Sequence, residues 1–225
     1  MKLEKISLVD RAVQQLRRMV VEGELEPGQR LTEQELSDQM EVGRGTVRAA
    51  LATLEAETLV LRRPYAGWAV QEIDAKTLRD TYLVRSALEE LAARLVSESL
   101  DADARQRLSA LQEAFERAEI SEVPEERVRA DLAFHVGIVR LSRNDLLVRQ
   151  YESLSGRIEW LYRWSERNWP RRINLIEWHQ PIVDAIFSGD GERAARSVRM
   201  HTERSVRDDV DDLRLQQRQL RGKSA

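Results

Sequence analysis

The chain has 225 residues, enough for two small domains, and its 42% hydrophobic and 33% charged composition reads as soluble and globular. No run approaches the roughly 18 apolar residues of a membrane span, and the charged N-terminal segment has no signal-peptide core. The absence of Cys excludes disulfides, thiol catalysis and Cys-ligated zinc, and fits a cytoplasmic location. The formal net charge is −3, and residues 1–73 hold ten Lys/Arg against twelve Asp/Glu, so nucleic-acid affinity requires a local basic cluster rather than bulk charge.

With five Pro and ten Gly in the whole chain, long helices are expected. Over residues 8–22, apolar side chains recur at Leu8, Val9, Ala12, Val13, Leu16, Met19 and Val20, the period of an amphipathic helix that Gly23 stops. Pro27-Gly28 makes a turn. Thr32 with Glu35 three residues on predicts a capping box opening a short helix to about Met40. After Glu41-Val42-Gly43, a third helix covers about 44–57 with Val47, Ala50, Leu51 and Leu54 inward. Two helices across so short a turn suggest a helix-turn-helix. Residues 59–63, the turn Pro64-Tyr65-Ala66-Gly67 and Trp68-Ala69-Val70 read as a small β-hairpin, a wing.

The run PGQRLTEQELSDQMEVGRGTVRAALATLEAETLVLRRPYAGWAV resembles the winged helix-turn-helix of GntR-type bacterial transcription regulators, over about residues 5–72. The resemblance implies double-stranded DNA as a partner, with helix 44–57 entering the major groove. Arg44, Thr46 and Arg48 match the family's DNA-contacting positions, and Gly67 matches the wing glycine. Arg44 and Arg48 lie one turn apart at a helix N-terminus, where side chains and backbone N–H groups can both face phosphate. Arg62 and Arg63 would add minor-groove or phosphate contacts from the wing. Outside such a pattern, arginines of this kind are an ordinary solvated surface. Two positions depart from the family. Gly43 stands where Ser or Thr is usual as N-cap and is followed two residues on by Gly45, which weakens the helix start slightly. Gln34 stands where many members carry Arg, so no operator sequence can be inherited from a relative.

Residues 73–76 form a short joint without Gly or Ser, expected to couple the domains stiffly. Helical patterns then follow at about 75–99, 103–119, 124–142, 145–166, 171–188 and 190–217. They are divided at Asp101, Pro124, Asn144, Pro170 and the Ser188-Gly189-Asp190-Gly191 turn. The expected fold is mainly α: a winged helix-turn-helix domain over 1–73, an all-helical antiparallel bundle over 77–217, and a disordered tail over 218–225.

The chain has three His, and each shares a helix face with apolar residues. His135 and Asp131, four apart, stand beside Phe134 and Ile138. His179 goes with Leu175, Ile176, Ile182, Val183 and Ile186, and His201 with Ala194, Val198 and Ser205. A lone His on such a face is an ordinary core residue. Three of three, with an inward Asp, invite a metal.

The pattern of Arg85–Glu89, DLAFH at 131–135, EWHQPIVDAIFSGD at 177–190 and MHTERS at 200–205 resembles the FCD effector domain of the FadR subfamily, over about residues 77–210. In its metal-binding subgroup the ligands are an Asp and a His four apart and two later His, which match Asp131, His135, His179 and His201. Three neutral imidazoles and a carboxylate suit a divalent ion such as Zn²⁺ or Ni²⁺ and leave positions open to water or a ligand. The resemblance implies a small organic acid effector whose carboxylate meets the metal. Arg85, at the family's Arg position, would hold its other end, or else pair with Glu89 one turn on. Asn144 is a further pocket candidate, or simply the cap of helix 145–166. Trp160, Trp164, Trp169 and Trp178 read as packing or a dimer seam.

The function expected is a cytoplasmic, homodimeric, sequence-specific repressor on a pseudo-palindromic operator, with no membrane partner and no enzymatic activity. One alternative is a regulator for which the metal itself is the signal. A metal-dependent hydrolase would want a second carboxylate beside the ion as general base. Glu177 and Glu203 fall on other faces, and neither HExxH nor a phosphate-binding loop occurs.

Overall fold

The computed structural model describes residues 7–65, 67–169 and 173–223, with side chains to residue 218. Ala66 of the wing turn and Pro170–Arg172, where a helix boundary is expected, lie outside the described residues. The chain divides into two compact units: residues 1–73 with 156–160, and residues 74–155 with 161–225.

The first unit holds α1 (Leu8–Val21), β1 (Arg30–Leu31), α2 (Glu33–Met40), α3 (Arg44–Ala56), β2 (Val60–Arg63) and β3 (Gly67–Val70). Ser7 caps α1: its hydroxyl accepts the Asp10 N–H while the Asp10 carboxylate accepts the Ser7 N–H, a full capping box that periodicity did not reveal. At α2 the expected box is half formed. Thr32 Oγ1 accepts the Glu35 N–H, but the Glu35 carboxylate takes the Thr32 hydroxyl proton instead of the backbone N–H. Gly43 caps α3 with no side-chain bond, as its lack of a side chain dictates. Leu16, Val20, Val47, Leu51 and Leu54 are fully buried and join α1 to α3. The wing hairpin pairs Val60 with Val70 and Arg63 with Gly67, antiparallel. Gly67 sits at φ +81°, in the left-handed region that the turn requires. A third strand, β1, pairs Arg30 with Ala69 and Leu31 with Trp68, so the sheet order is β1-β3-β2. Two residues are too few for alternation to show in the sequence.

The second unit holds α4 (Ala75–Glu98), α5 (Ala102–Ile120), α6 (Pro124–Leu141), α7 (Asp145–Asn168), α8 (Leu175–Phe187) and α9 (Gly191–Lys223). Asp74, Asp101, Asn144 and Asn174 each cap a helix by accepting the N–H three residues on. Pro124 opens α6, where its missing N–H costs nothing. Helix α4 packs along α9, α5 against α6, and α8 against α9 and α5. Helix α9 runs to Lys223, past its expected end at about 217, and Val210 and Leu213 carry its buried stripe toward that end. Residues 218–223 of the expected disordered tail are therefore helical in backbone, and 224–225 lie outside the described residues. Among the described residues, no helix is long and apolar enough to cross a membrane.

Candidate functional site

Helix α6 carries Asp131 and His135, α8 carries His179 and α9 carries His201, and the second unit brings all four together. Each imidazole offers a ring nitrogen within 4.8 Å of the others, and all three rings are buried. His135 Nε2 lies 3.2 Å from His179 Nε2. Asp131 Oδ1 lies 3.3 Å from the first of these nitrogens and 3.5 Å from the second. The far side of two rings is already engaged. His179 Nδ1 donates to the Leu175 carbonyl at 2.8 Å, and His135 Nδ1 meets Glu89 Oε2 at 2.8 Å. A carbonyl can only accept, so the His179 proton sits on Nδ1 and its Nε2 keeps a lone pair. The same logic applies to neutral His135.

Two imidazole lone pairs, the third imidazole and a carboxylate thus face one buried point. Asp131 Oδ1 and His201 Nδ1 have no hydrogen-bond partner there. Such acceptors packed without a proton or cation between them repel one another and forfeit their hydration. The donor set fits a first-row divalent ion, and the Nδ1 contacts to a carboxylate and a backbone carbonyl are the outer support that metal-bound His normally has. Phe115 stacks on His179 with centroids 4.6 Å apart, and Trp178 meets His201 edge-on at 6.0 Å, closing the cluster with apolar rings.

Glu89 is the residue that sequence reasoning missed. It is fully enclosed on α4 and accepts from His135 Nδ1, from Arg85 Nε at 2.6 Å and from the Tyr151 hydroxyl at 2.6 Å. Only its i, i+4 spacing from Arg85 marked it, together with a shared buried face. Burial alone would raise the Glu89 pKa, but Arg85 and then His135 outweigh burial and hold it far below the carboxylate range. For Asp131, burial is likewise overridden, by the imidazoles of His179 and then His135 beside it, and the pKa falls. Burial pushes His135 down, yet the Glu89 carboxylate raises it overall. Burial and the neighbouring imidazoles drive His201 well below its ordinary value, so it stays neutral.

Arg85 is paired with Glu89, the second of the two roles its sequence position offered. Its guanidinium lies 5.4 Å from the Tyr82 ring centroid and 5.0 Å from that of Tyr162, and its Nη1 has no hydrogen-bond partner. A cavity of about 60 Å³ adjoins the cluster, lined by Asp131, His201, Tyr82, Tyr162, Ser165 and Arg127 among others. The cation on this wall is Arg127, which the sequence did not single out. It is buried, donates to the Ile173 carbonyl at 2.8 Å and pairs with Glu119 at 2.8 Å and Glu166 at 3.2 Å. Asn144 is placed at the N-cap of α7, where Oδ1 accepts the Leu147 N–H at 3.0 Å, and it is not among the lining residues. Trp169 and Trp178 do line the cavity, Trp164 meets Trp169 with centroids 5.1 Å apart, and Trp160 is buried. Glu177 and Glu203 are exposed and stand off the site.

In the first unit, Arg44, Thr46 and Arg48 occupy the first turns of α3, with both arginines exposed. Arg48 is not a bare cation: Nε and Nη2 bind both carboxylate oxygens of Glu33 at 2.8 and 2.7 Å. That fork lowers the Glu33 pKa to about 2. On the wing, Arg62 lies over Trp68 at 5.7 Å and Arg63 pairs with Glu72 at 2.8 Å.

A three-stranded winged helix-turn-helix unit, followed in the chain by a helical bundle that carries a histidine cluster, is the arrangement of a DNA-binding transcription regulator. Residues 8–70 match the gntR family of bacterial regulatory proteins and residues 80–204 match the FCD domain; the chain belongs to this GntR family, in its FCD-containing form. It is similar to the Nta operon transcriptional regulator of Aminobacter aminovorans, 31% identical over 187 residues that cover 83% of this chain and 87% of that one. It is also similar to the "Probable D-xylose utilization operon transcriptional repressor" of Paenarthrobacter nicotinovorans, 29% identical over 185 residues covering 81% and 80%. Its fold is shared with Escherichia coli McbR/YncC, with a TM-score of 0.73 at 21% identity over 93% of this chain and 100% of that chain. The protein is a DNA-binding transcription regulator and not an enzyme.

Proposed function

We propose that the chain is a cytoplasmic homodimeric repressor, released from a pseudo-palindromic operator by a small organic acid sensed beside a divalent metal ion. The observation that carries this reading is the convergence of Asp131, His135, His179 and His201 on one buried point, where Asp131 Oδ1 and His201 Nδ1 have no hydrogen-bond partner. These four residues would hold the ion, Zn²⁺ or Ni²⁺ by ligand type. A bound ion would supply a Lewis acid able to hold an oxygen donor. Glu89 orients His135 from behind and the Leu175 carbonyl orients His179.

The adjoining cavity supports a small anionic effector. Arg127 places a buried cation on its wall, paired with Glu119 and Glu166, and the Tyr82 and Ser165 hydroxyls there donate to Asp209 at 2.7 and 3.0 Å, so an anionic effector would have to exchange with these carboxylates. Arg85 supports the site from below through Glu89. On the DNA side, the exposed arginines of α3 and the wing arginines Arg62 and Arg63 are the local basic cluster that a chain of net charge −3 needs, with Thr46 and Gly67 completing the expected surface. Repression is favoured by the likeness to the Paenarthrobacter protein, itself named as a repressor. A two-fold dimer would present two α3 helices to two half-sites. Effector and operator would each weaken the other by the same factor.

The test is elemental analysis of protein purified without added metal, beside an Asp131→Ala/His135→Ala variant. About one ion per chain, lost in the variant, is expected. Equal metal in both, or none in either with no thermal shift on adding Zn²⁺ or Ni²⁺, would return the three His to the core. Operator binding that responds to the ion but to no small carboxylate would replace the organic effector with the metal as signal.

A further inference from the structure

Helix α4 buries one face against α9 and leaves much of the opposite face exposed, with Arg94 half-buried toward α9. Leu83, Val84 and Leu91 are 70%, 51% and 43% exposed, and Ala87 between them is exposed too. Leu83, Ala87 and Leu91 stand at i, i+4 and i+8, one continuous apolar line. The line continues at both ends with charges, Lys76 and Asp80 before it and Arg94 and Glu98 after it, at the spacings of three and four that mark a helix–helix seam. Beside it runs an open groove of about 570 Å³ between α4 and α9, floored by Leu83, Ala87, Val206 and Val210.

The seam is self-complementary in one direction only. Taking Ala87 as centre, Leu83 and Leu91 are equidistant from it, as are Asp80 and Arg94, and Lys76 and Glu98. Two such helices laid antiparallel about a two-fold axis at Ala87 place Leu83 on the partner's Leu91. The same register places Asp80 on the partner's Arg94 and Lys76 on the partner's Glu98. Laid parallel, they would set Asp80 on the partner's Asp80 and Arg94 on the partner's Arg94, like on like. Alanine at the centre lets two helix backbones approach closely. Within the chain, Lys76 pairs with Asp80 and Arg94 Nη2 pairs with Glu192 at 2.9 Å, while Arg94 Nε is buried without a hydrogen-bond partner.

We infer that the exposed face of α4 is the surface on which a second copy of this chain docks, antiparallel, with the two-fold axis at Ala87. The inference rests on the homodimer reading above and adds the surface and the register that it lacks. Symmetry doubles every contact, so each leucine and each ion pair counts twice.

The experiment uses the full chain in sedimentation and multi-angle light scattering. The wild type is expected to be a dimer, and Leu83→Asp/Leu91→Asp a monomer with an unchanged melting profile for its helices, its dimer dissociation constant raised about 30-fold or more. Asp80→Arg alone should weaken the dimer, and Asp80→Arg/Arg94→Asp should restore it, which loss of folding cannot imitate. Because the chain has no Cys, Ala87→Cys supplies a single thiol. It should form a disulfide-linked dimer under mild oxidation, whereas Ile120→Cys, at a position 84% exposed elsewhere, should not. A dimer untouched by the α4 substitutions and without the Ala87→Cys cross-link overturns this surface and leaves the homodimer standing. A monomeric wild type overturns both.

Discussion

Nε2 of His135 and Nε2 of His179 lie 3.2 Å apart, and the opposite nitrogen of each ring is already engaged, one by Glu89 and the other by the Leu175 carbonyl. Nothing on the protein side can place a donor between them except an added proton. The cluster is therefore held open toward a cation by contacts behind the rings, from α4 and from α8 itself. Its properties follow from what fills that point.

Zn²⁺ or Ni²⁺ should raise the denaturation midpoint of the wild type, since binding to the folded state alone stabilises by about 2.7 kcal/mol at a hundredfold excess over the dissociation constant. His179→Ala should abolish the gain. A chelator titration followed by circular dichroism checks it, and an equal gain in the variant would count against these ligands.

The metal-free and metal-loaded proteins should respond to pH in opposite senses. The His135 pKa is raised on folding, so its proton stabilises the metal-free fold fully below the unfolded imidazole value of about 6.5. That contribution is lost as pH rises through the folded value. Asp131 and Glu89 are depressed, so their contribution is present above the unfolded value of about 4 and lost as pH falls through the folded ones. An ion must displace the His135 proton, so its stabilising effect should grow with pH. Melting temperatures of chelated and loaded protein from about pH 5 to about pH 8 should diverge; a constant gap would contradict the assignment.

Glu89→Gln should be costly although it touches no ion. It strips the buried Arg85 of its counter-charge, worth about 3–5 kcal/mol of stability when one partner of such a pair is removed. It also weakens the acceptor behind His135, which should lower metal affinity about 10- to 100-fold. Denaturant titration with and without metal separates the two effects.

Arg44→Ala and Arg48→Ala should weaken operator binding without changing the stability of the helical domain. A base-contacting Arg would cost about 1–3 kcal/mol and relax specificity at one position, whereas a phosphate contact would lower the salt slope by about one. For Arg48 the loss is partly offset, because in the free protein it already satisfies Glu33. Fluorescence anisotropy across a salt series distinguishes the two roles.

Much of the architecture was legible in the chain. The apolar periods located every helix to within a few residues, apart from the start of α8 and the long end of α9. Composition and wing spacing placed the hairpin, and the apolar faces turned all three His inward. Those are local signals, carried by residues within one or two turns of each other. The sequence missed β1, whose two residues leave no period to read. It showed Glu89 only as a partner for Arg85 one turn on and not as the support of His135, and it gave no sign of Arg127, whose partners Glu119, Glu166 and Ile173 are not its helical neighbours.

What the residues alone determined is the set of helices, their inward faces and the donor types available. What only the tertiary structure decided is which donors meet: that Asp131 and the imidazoles of α6, α8 and α9 share one point, that Glu89 of α4 stands behind His135, and that Arg127 rather than Arg85 lines the adjoining cavity. Helical periodicity fixes a side chain's direction about its own axis, but the crossing and register of helices far apart in the chain come from packing summed over whole faces. That sum is not written at any one position.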